Sequence, residues 1–319
     1  MDGLLVIDKP AGPTSHDVVA RMRRVLREKR IGHTGTLDPM ATGVLLLVLG
    51  KATRLATFLS ASDKSYDAVV RLGFATDTAD ALGRPLGPVS ESPIPSREAI
   101  DAALEGFRGT FMQQPPAFSA KKIDGQRSHT LARARARGAD DDWAAADARL
   151  TPRATEGADP PALPAPASVT AHAIRVVSVD GDRVTLQVDC SAGFYIRSLA
   201  HDLGERLGIG AHLAALRRTR TGDFTIGQAV DLDTAERDPQ RAAAAVVPLA
   251  EMLPRLTSVV LTAEGVNRAV HGRDLGPGHA VGEFAVREQV RLMDRGGGLV
   301  GIARPAATPG LLHPSVVLV

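Results

Sequence analysis

Cysteine occurs once in this chain, at position 190. An intrachain disulfide and a multi-cysteine zinc site are therefore excluded, and the usage fits a reducing compartment. Tyrosine occurs twice, at 66 and 195, and all aromatics together make up 3% of the residues. Core filling falls to Leu, Val and Ala. No apolar run approaches the ~20 residues that a membrane-spanning helix needs. The opening stretch from Met1 to Pro10 lacks a basic segment, and its apolar run is too short for a signal peptide. A soluble, cytoplasmic protein is expected. No G-x-G-x-x-G follows a strand-like segment. Gly50-Lys51 fails as the end of a Walker A motif, because Leu45 stands where the first glycine is required and Ala52 where Ser or Thr should be. Nucleotide-driven chemistry is thereby disfavoured. What is there is a globular composition, 44% hydrophobic and 23% charged over 319 residues, enough for one large domain and a small one.

The net charge of +2 hides a segregation. Residues 138–168 hold six acids against Arg149 and Arg153, a balance of −4, so the remainder of the chain carries +6. Between Ala20 and His33, Arg21, Arg23, Arg24, Arg27, Lys29 and Arg30 face only Glu28. Such a run suits a polyanionic partner, although it also suits a plain solvated helix face.

Chemistry concentrates in Gly32-His33-Thr34-Gly35-Thr36-Leu37-Asp38-Pro39-Met40-Ala41-Thr42-Gly43. Three glycines make this stretch costly to order, so an ordered form implies close backbone approach or unusual dihedrals. Pro39 pushes Asp38 out of the helical region, which presents the carboxylate from extended backbone. Val44–Leu49 reads as a strand buried on both faces, a rigid base for the loop. A competing reading makes Asp38 the N-cap of a short helix with Pro39 at its first position.

Upstream, Leu4–Ile7 predicts a strand. Thr14 and Asp17 form a capping-box pair that opens a helix over 15–29, with Val18, Met22, Val25 and Leu26 on its apolar face and a basic face opposite. Downstream, Ala52–Leu59 predicts a short helix. Ser65–Phe74 alternates with Tyr66, Ala68, Val70 and Leu72 on one side. A tyrosine at the start of that strand is most simply a rim residue with a wet hydroxyl. Ser96 caps a helix through Phe107, and the arginine-rich stretch 128–137 reads as another. Residues 138–168, low in complexity, read as a disordered insertion. Asp180-Gly181-Asp182 joins a hairpin of Ile174–Val179 and Arg183–Cys190, with Cys190 an inert inward thiol. Ile196 to Leu207 is helical, stopped by Gly208, with Tyr195 and Arg197 in its first turn. An arginine is disfavoured at a helix start, so a specific anionic partner is expected for it. A linker over Pro248–Leu256 separates residues 1–250 from a small β-rich module at 257–319.

The Gly32–Gly43 stretch closely resembles the catalytic-loop signature of the tRNA pseudouridine synthase B (TruB) family. Asp8-Lys9-Pro10-x-Gly12-x-Thr14-Ser15, Lys64-x-Tyr66 and the Phe194–Gly204 segment match further family motifs in consistent order, over roughly residues 3–250 outside the insertion. The resemblance implies the pseudouridine synthase fold, an α/β (α+β) architecture with a mixed, largely antiparallel sheet flanked by helices. It also implies a catalytic domain at 1–250, followed by a PUA-like or related RNA-binding module at 257–319. The implied reaction is isomerisation of the uridine at position 55 in the T arm of tRNA, with no cofactor, no metal, no obligatory protein partner and no membrane, by a monomer. Asp38 takes the nucleophile's place and Tyr66 that of the ring stacking on the uracil. Arg197 would pair with Asp38, while His33, Tyr195 and Leu216 would contact the displaced nucleotide. Lys9, Arg23, Arg27, Arg217 and Arg218 are the cations expected at the RNA backbone.

These residue types suit the chemistry. Breaking a C–N glycosidic bond and rejoining through carbon calls for a carboxylate able to form a transient covalent bond, kept ionised by a nearby arginine. Two other classes compete: a tRNA-binding folding chaperone whose catalysis is secondary, and a guide-RNA-dependent synthase subunit. A glycoside hydrolase would need a second positioned carboxylate.

Overall fold

The computed structural model describes residues 1–116, 164–282, 284 and 286–318, with the backbone of 122–123 and 126–127. The expected helix at 128–137 and most of the expected insertion (138–163) lie outside the described residues. The main elements are β1 (Gly3–Lys9), α1 (Ser15–Val25), β2 (Ile31–Thr34), β3 (Thr42–Leu49), β4 (Lys64–Leu72), α2 (Arg97–Leu104), β5 (Gly109–Gln113), β6 (Ala167–Asp180), β7 (Arg183–Cys190), α3 (Ile196–Leu207) and β8 (Ala211–Thr221). After them come β9 (Thr257–Val260), α4 (Ala263–Val270), β10 (Val290–Met293), β11 (Leu299–Pro305) and β12 (Leu312–Val317). Contacts divide the chain into two units: Met1–Leu37, Val44–Ala61 and Ile226–Val319 in one, Asp38–Gly43 and Ser62–Thr225 in the other.

In the first unit β1 lies beside β3 and pairs in parallel with the short strand Val230–Asp231, while β2 runs antiparallel to β3. Val44 to Leu49 are all buried. α1 opens with a complete capping box, since Thr14 accepts from the Asp17 N–H and the Asp17 carboxylate accepts from the Thr14 N–H. Val18, Val19 and Met22 form its buried face. The helix stops at Val25, short of the expected residue 29, because Arg27 adopts a left-handed backbone (φ 51°) that cannot continue it. Ile31–Thr34 also departs from the expected loop. Its residues pair with β3 from Ile31 opposite Leu49 to Thr34 opposite Leu46, so backbone groups that a loop would leave to water are satisfied by a neighbouring strand. The C-terminal strands form a sheet of their own in the order β9-β10-β11-β12. Val259, Leu261, Leu275, Val290, Leu292 and Leu312 lie at the heart of its apolar cluster.

The second unit is an antiparallel run, β8-β4-β7-β6-β5, which the first two residues of β3 join in parallel. The sheet is thus mixed and largely antiparallel. Tyr66, Ala68, Val70 and Leu72 face inward along β4, as do Val184, Leu186, Val188 and Cys190 along β7. Two residues close the β6–β7 hairpin, with Asp180 opposite Arg183 and Gly181 at φ 54°. β6 is longer than its apolar alternation predicts: its first residues, Ala167 to Ala171, pair with β5 and take over the end of the expected insertion. Ser96 caps α2 by accepting from the Ala99 N–H. α3 docks on α2 through Arg206, whose guanidinium lies 4.0 Å from the Phe107 ring centroid and donates to the Ala103 carbonyl at 3.1 Å. Among the described residues no helix is long and apolar enough to cross a membrane.

Candidate active site

Asp38 sits between two fixed points. On its N-terminal side the buried Ser15 hydroxyl accepts from the Leu37 N–H at 2.9 Å and donates to the Leu37 carbonyl at 3.1 Å. On its C-terminal side Thr42 and Gly43 pair with Arg217 and Arg218 of β8. Between them the Ala41 N–H donates to the Asp38 carbonyl at 3.0 Å, closing a turn over Pro39 and Met40. No helix starts here, so Asp38 is not a cap. Gly43 has φ 99°, and a Cβ on it would lie 2.2 Å from the Arg218 carbonyl oxygen. Only glycine fits there.

Arg197, 5% exposed, meets the loop from the second position of α3. Its Nε lies 2.9 Å from Asp38 Oδ2 and its Nη2 donates to Asp38 Oδ1 at 3.3 Å, a bidentate fork. The same Nε is 3.9 Å from Asp80 Oδ2, and Nη1 donates to the Thr78 carbonyl at 3.2 Å. Asp80 is itself buried and accepts from Thr78 Oγ1 (2.7 Å) and the Leu82 N–H (3.0 Å). A cation at a helix N-terminus and out of water is doubly disfavoured. Two carboxylates offset that, one braced from behind and one, Asp38, left about a third exposed on its open side.

Tyr66 is 8% exposed, which replaces the expected wet rim hydroxyl with a buried one. Burial pushes its phenol above the ordinary range, and a hydrogen bond and positive charge from Arg218 oppose that rise. Lys64, two residues earlier on the same face, is buried too. Burial, reinforced by the Arg218 charge, lowers its ammonium to about 8. Cys190, opposite Lys64, has its thiol pushed up to about 12 by burial, which makes it inert.

The sequence pattern of the TruB family pseudouridylate synthase N-terminal domain matches residues 23–140, and that of the tRNA pseudouridylate synthase B C-terminal domain matches residues 197–256. The chain is 40% identical to the tRNA pseudouridine synthase B of Solibacter usitatus over 100% of both chains. It is 41% identical to that of Ralstonia nicotianae, over 98% of this chain and 92% of the relative. The chain belongs to the TruB family of pseudouridine synthases. Among solved structures, one in a Cbf5-Nop10-Gar1 complex aligns with 100% of this chain and 85% of its own, at a TM-score of 0.68 and 26% identity. Another, in an H/ACA RNP bound to a substrate RNA containing 2′-deoxyuridine, aligns with 99% of this chain and 85% of its own, at a TM-score of 0.69 and 24% identity. The fold is that of the pseudouridine synthases.

Of the residues matched to TruB motifs, Asp38, Tyr66, Arg197, Tyr195 and Leu216 all fall in the second unit. Tyr195 is the N-cap residue of α3. The buried Gln113 side chain accepts from its N–H at 2.8 Å and donates to its carbonyl at 3.0 Å, while Ser198 Oγ donates to the Gln114 carbonyl at 2.8 Å. Those bonds fix the start of the helix that carries Arg197. Leu216 is buried opposite Ala68. His33 belongs to the first unit, where its ring meets that of His16 edge-on at 5.0 Å.

Two cations expected at the RNA backbone are interior instead. Lys9 is 0% exposed, and its Nζ donates to the Pro10 carbonyl at 2.8 Å. Arg218 is 1% exposed. Arg217 and Arg218 are strand neighbours and point to opposite faces, so the two cannot share one RNA surface. Arg217 takes the open face, with Nη1 3.4 Å from Thr42 Oγ1. Arg23 and Arg27 are exposed, although Arg23 Nη2 also donates to the Ile31 carbonyl at 2.7 Å. The sequence reading passed over Asp80 and Thr78. Their one signal was the density of Thr and Asp over Thr76–Asp80 just after β4, which periodicity does not rank.

Proposed function

We propose that this protein isomerises uridine to pseudouridine at position 55 in the T arm of tRNA, with Asp38 as the nucleophile, no cofactor and no partner protein. The observation that carries this reading is the fork from buried Arg197 onto the half-open carboxylate of Asp38, with Tyr66 nearby. The arginine places its positive charge against the carboxylate and fixes its orientation. Asp38 attacks C1′ of the sugar or C6 of the base, and either route breaks the bond between C1′ and N1. The freed uracil turns, C5 bonds to C1′, the bond to Asp38 breaks, C5 loses its proton and N1 gains one. No electrons enter or leave, so no redox partner is needed. A flipped base must be held against stacking loss, and Tyr66, Tyr195 and Leu216 supply the apolar and aromatic surface for that, with His33 beside the displaced nucleotide. Exposed Arg23 and Arg27, with half-buried Arg217, supply backbone contacts. We assign residues 257–319 as an RNA-binding module and the cytoplasm as the place of action.

Pseudouridine mapping by mass spectrometry of tRNA incubated with the purified protein alone tests this. Modification at position 55 is expected. Asp38→Asn is expected to bind tRNA and lose at least ~10³ in single-turnover rate, because an amide cannot act as this nucleophile. Turnover by that variant near the wild-type rate, or a requirement for added guide RNA, would overturn the reading.

A further inference from the structure

Arg218 stands directly opposite Tyr66 in the β8–β4 pair and directly opposite Gly43 on its other side. Cross-strand partners present their side chains on one face. Both side chains are buried, so the guanidinium meets the phenol oxygen and donates a hydrogen bond to it. The backbone of Arg218 is held as firmly as its side chain. Gly43 packs so closely on it that a Cβ would fall 2.2, 2.9 and 2.9 Å from the Arg218 O, C and N. One residue therefore registers both the end of the Asp38 loop and the strand that carries Tyr66. The charged and titratable groups around that phenol are Arg218 from β8, Lys64 from its own strand, Cys190 from β7 and Asp38 from the loop.

We propose that Arg218 is the positioning residue for Tyr66, its guanidinium holding the phenol oxygen from directly across the strand pair beside Asp38. This rests on the reading of the site as a pseudouridine synthase centre. A phenol placed out of water is poor at exchanging a proton, because its ionised form has lost hydration. A fixed cation donating to its oxygen restores part of what water would give, and it adds no cost of reorganisation during the reaction. Arginine suits this better than lysine, since its planar fork spans to the phenol while the backbone stays locked against Gly43.

The experiment uses the full chain labelled with 3-fluorotyrosine. With two tyrosines it gives two ¹⁹F signals, and loss of one in Tyr66→Phe assigns Tyr66. In Arg218→Gln the Tyr66 signal is expected to titrate at least ~1 pH unit higher than in wild type, because a charged donor has been replaced by a neutral one. The single-turnover rate on tRNA is expected to fall by at least ~10-fold with affinity unchanged. Arg218→Lys, which keeps the charge, is expected to recover part of both. If Arg218→Gln does not fold, Arg218→Lys alone decides: a Tyr66 titration displaced above wild type, with a lowered single-turnover rate, supports the proposal. An unmoved Tyr66 titration together with a rate within ~3-fold of wild type would overturn it. The fluorine titration needs no substrate. A wild-type protein that makes no pseudouridine yet shows the Arg218-dependent shift would therefore sink the functional reading and leave the Tyr66–Arg218 coupling standing.

Discussion

A phenylalanine would fill the Tyr66 position with the same apolar ring and without a hydroxyl to desolvate, so a tyrosine buried there needs a use for its oxygen. If the ring only stacks on the base, Tyr66→Phe keeps most activity. If the hydroxyl moves a proton, turnover collapses while tRNA still binds. Collapse is expected, by about 10² or more in single-turnover rate, and near-normal turnover would show that the hydroxyl is idle. Cys190 gives the opposite expectation. Its thiol lies fully inside the second unit, with burial raising it to about 12, so almost none is thiolate at neutral pH. The native protein should leave a thiol-reactive chromophore unreacted, and one equivalent should appear on denaturation. Rapid labelling of the native protein would contradict the burial. The alternation along β7 made this thiol's place readable in advance, whereas nothing in the residues around Tyr66 indicated that its hydroxyl would face a buried arginine.

The loop from Asp38 to Gly43 is an element whose ends matter more than its middle. Gly43 combines a left-handed backbone with contact against Arg218, so Gly43→Ala must both strain φ and shift a strand. A loss of about 2–4 kcal/mol is expected, read from the urea midpoint, with activity falling further than stability explains. Gly32→Ala is the control. That glycine has ordinary φ, and an added Cβ would meet only Val48 Cγ2 at 3.6 Å, so a change within about 1 kcal/mol is expected. Equal effects at the two positions would mean that the Arg218 contact does not constrain the loop. The capping box of α1, the hairpin at Gly181 and the Gly208 stop of α3 were all readable, because each is a bargain struck within a few residues. The early end of α1 and the strand pairing of Ile31–Thr34 were not. One turns on a left-handed arginine and the other on the free edge of β3, and neither is a local preference.

For the whole molecule the open question is how a polyanion is held. The exposed arginines of the first unit include Arg23, on the side of α1 opposite Val18, Val19 and Met22, and Arg27, just past the end of that helix. Under the proposed function these cations contact phosphates. Arg23→Ala with Arg27→Ala should weaken tRNA binding and flatten the slope of log K against log salt by up to about one unit per lost contact. The rate of the bound complex should hold. An unchanged slope would make the two a solvated face and nothing more.

The sequence by itself determined most of the strands and helices, which of their faces are apolar, and that Asp38, Tyr66 and Arg197 match TruB motifs. Periodicity and capping are short-range physics, and they survive without the fold. Only the tertiary structure decided who meets whom. Asp38 and Arg197 lie 159 residues apart in the chain, and no local rule brings Asp80 behind that pair. Lys9 and Arg218 read as surface cations from composition, yet strand register turned both inward. The reason is the same throughout. A side chain's face follows from its neighbours in sequence, but its partner follows from the register between strands that are distant in sequence, and that is fixed by packing the sheet as a whole.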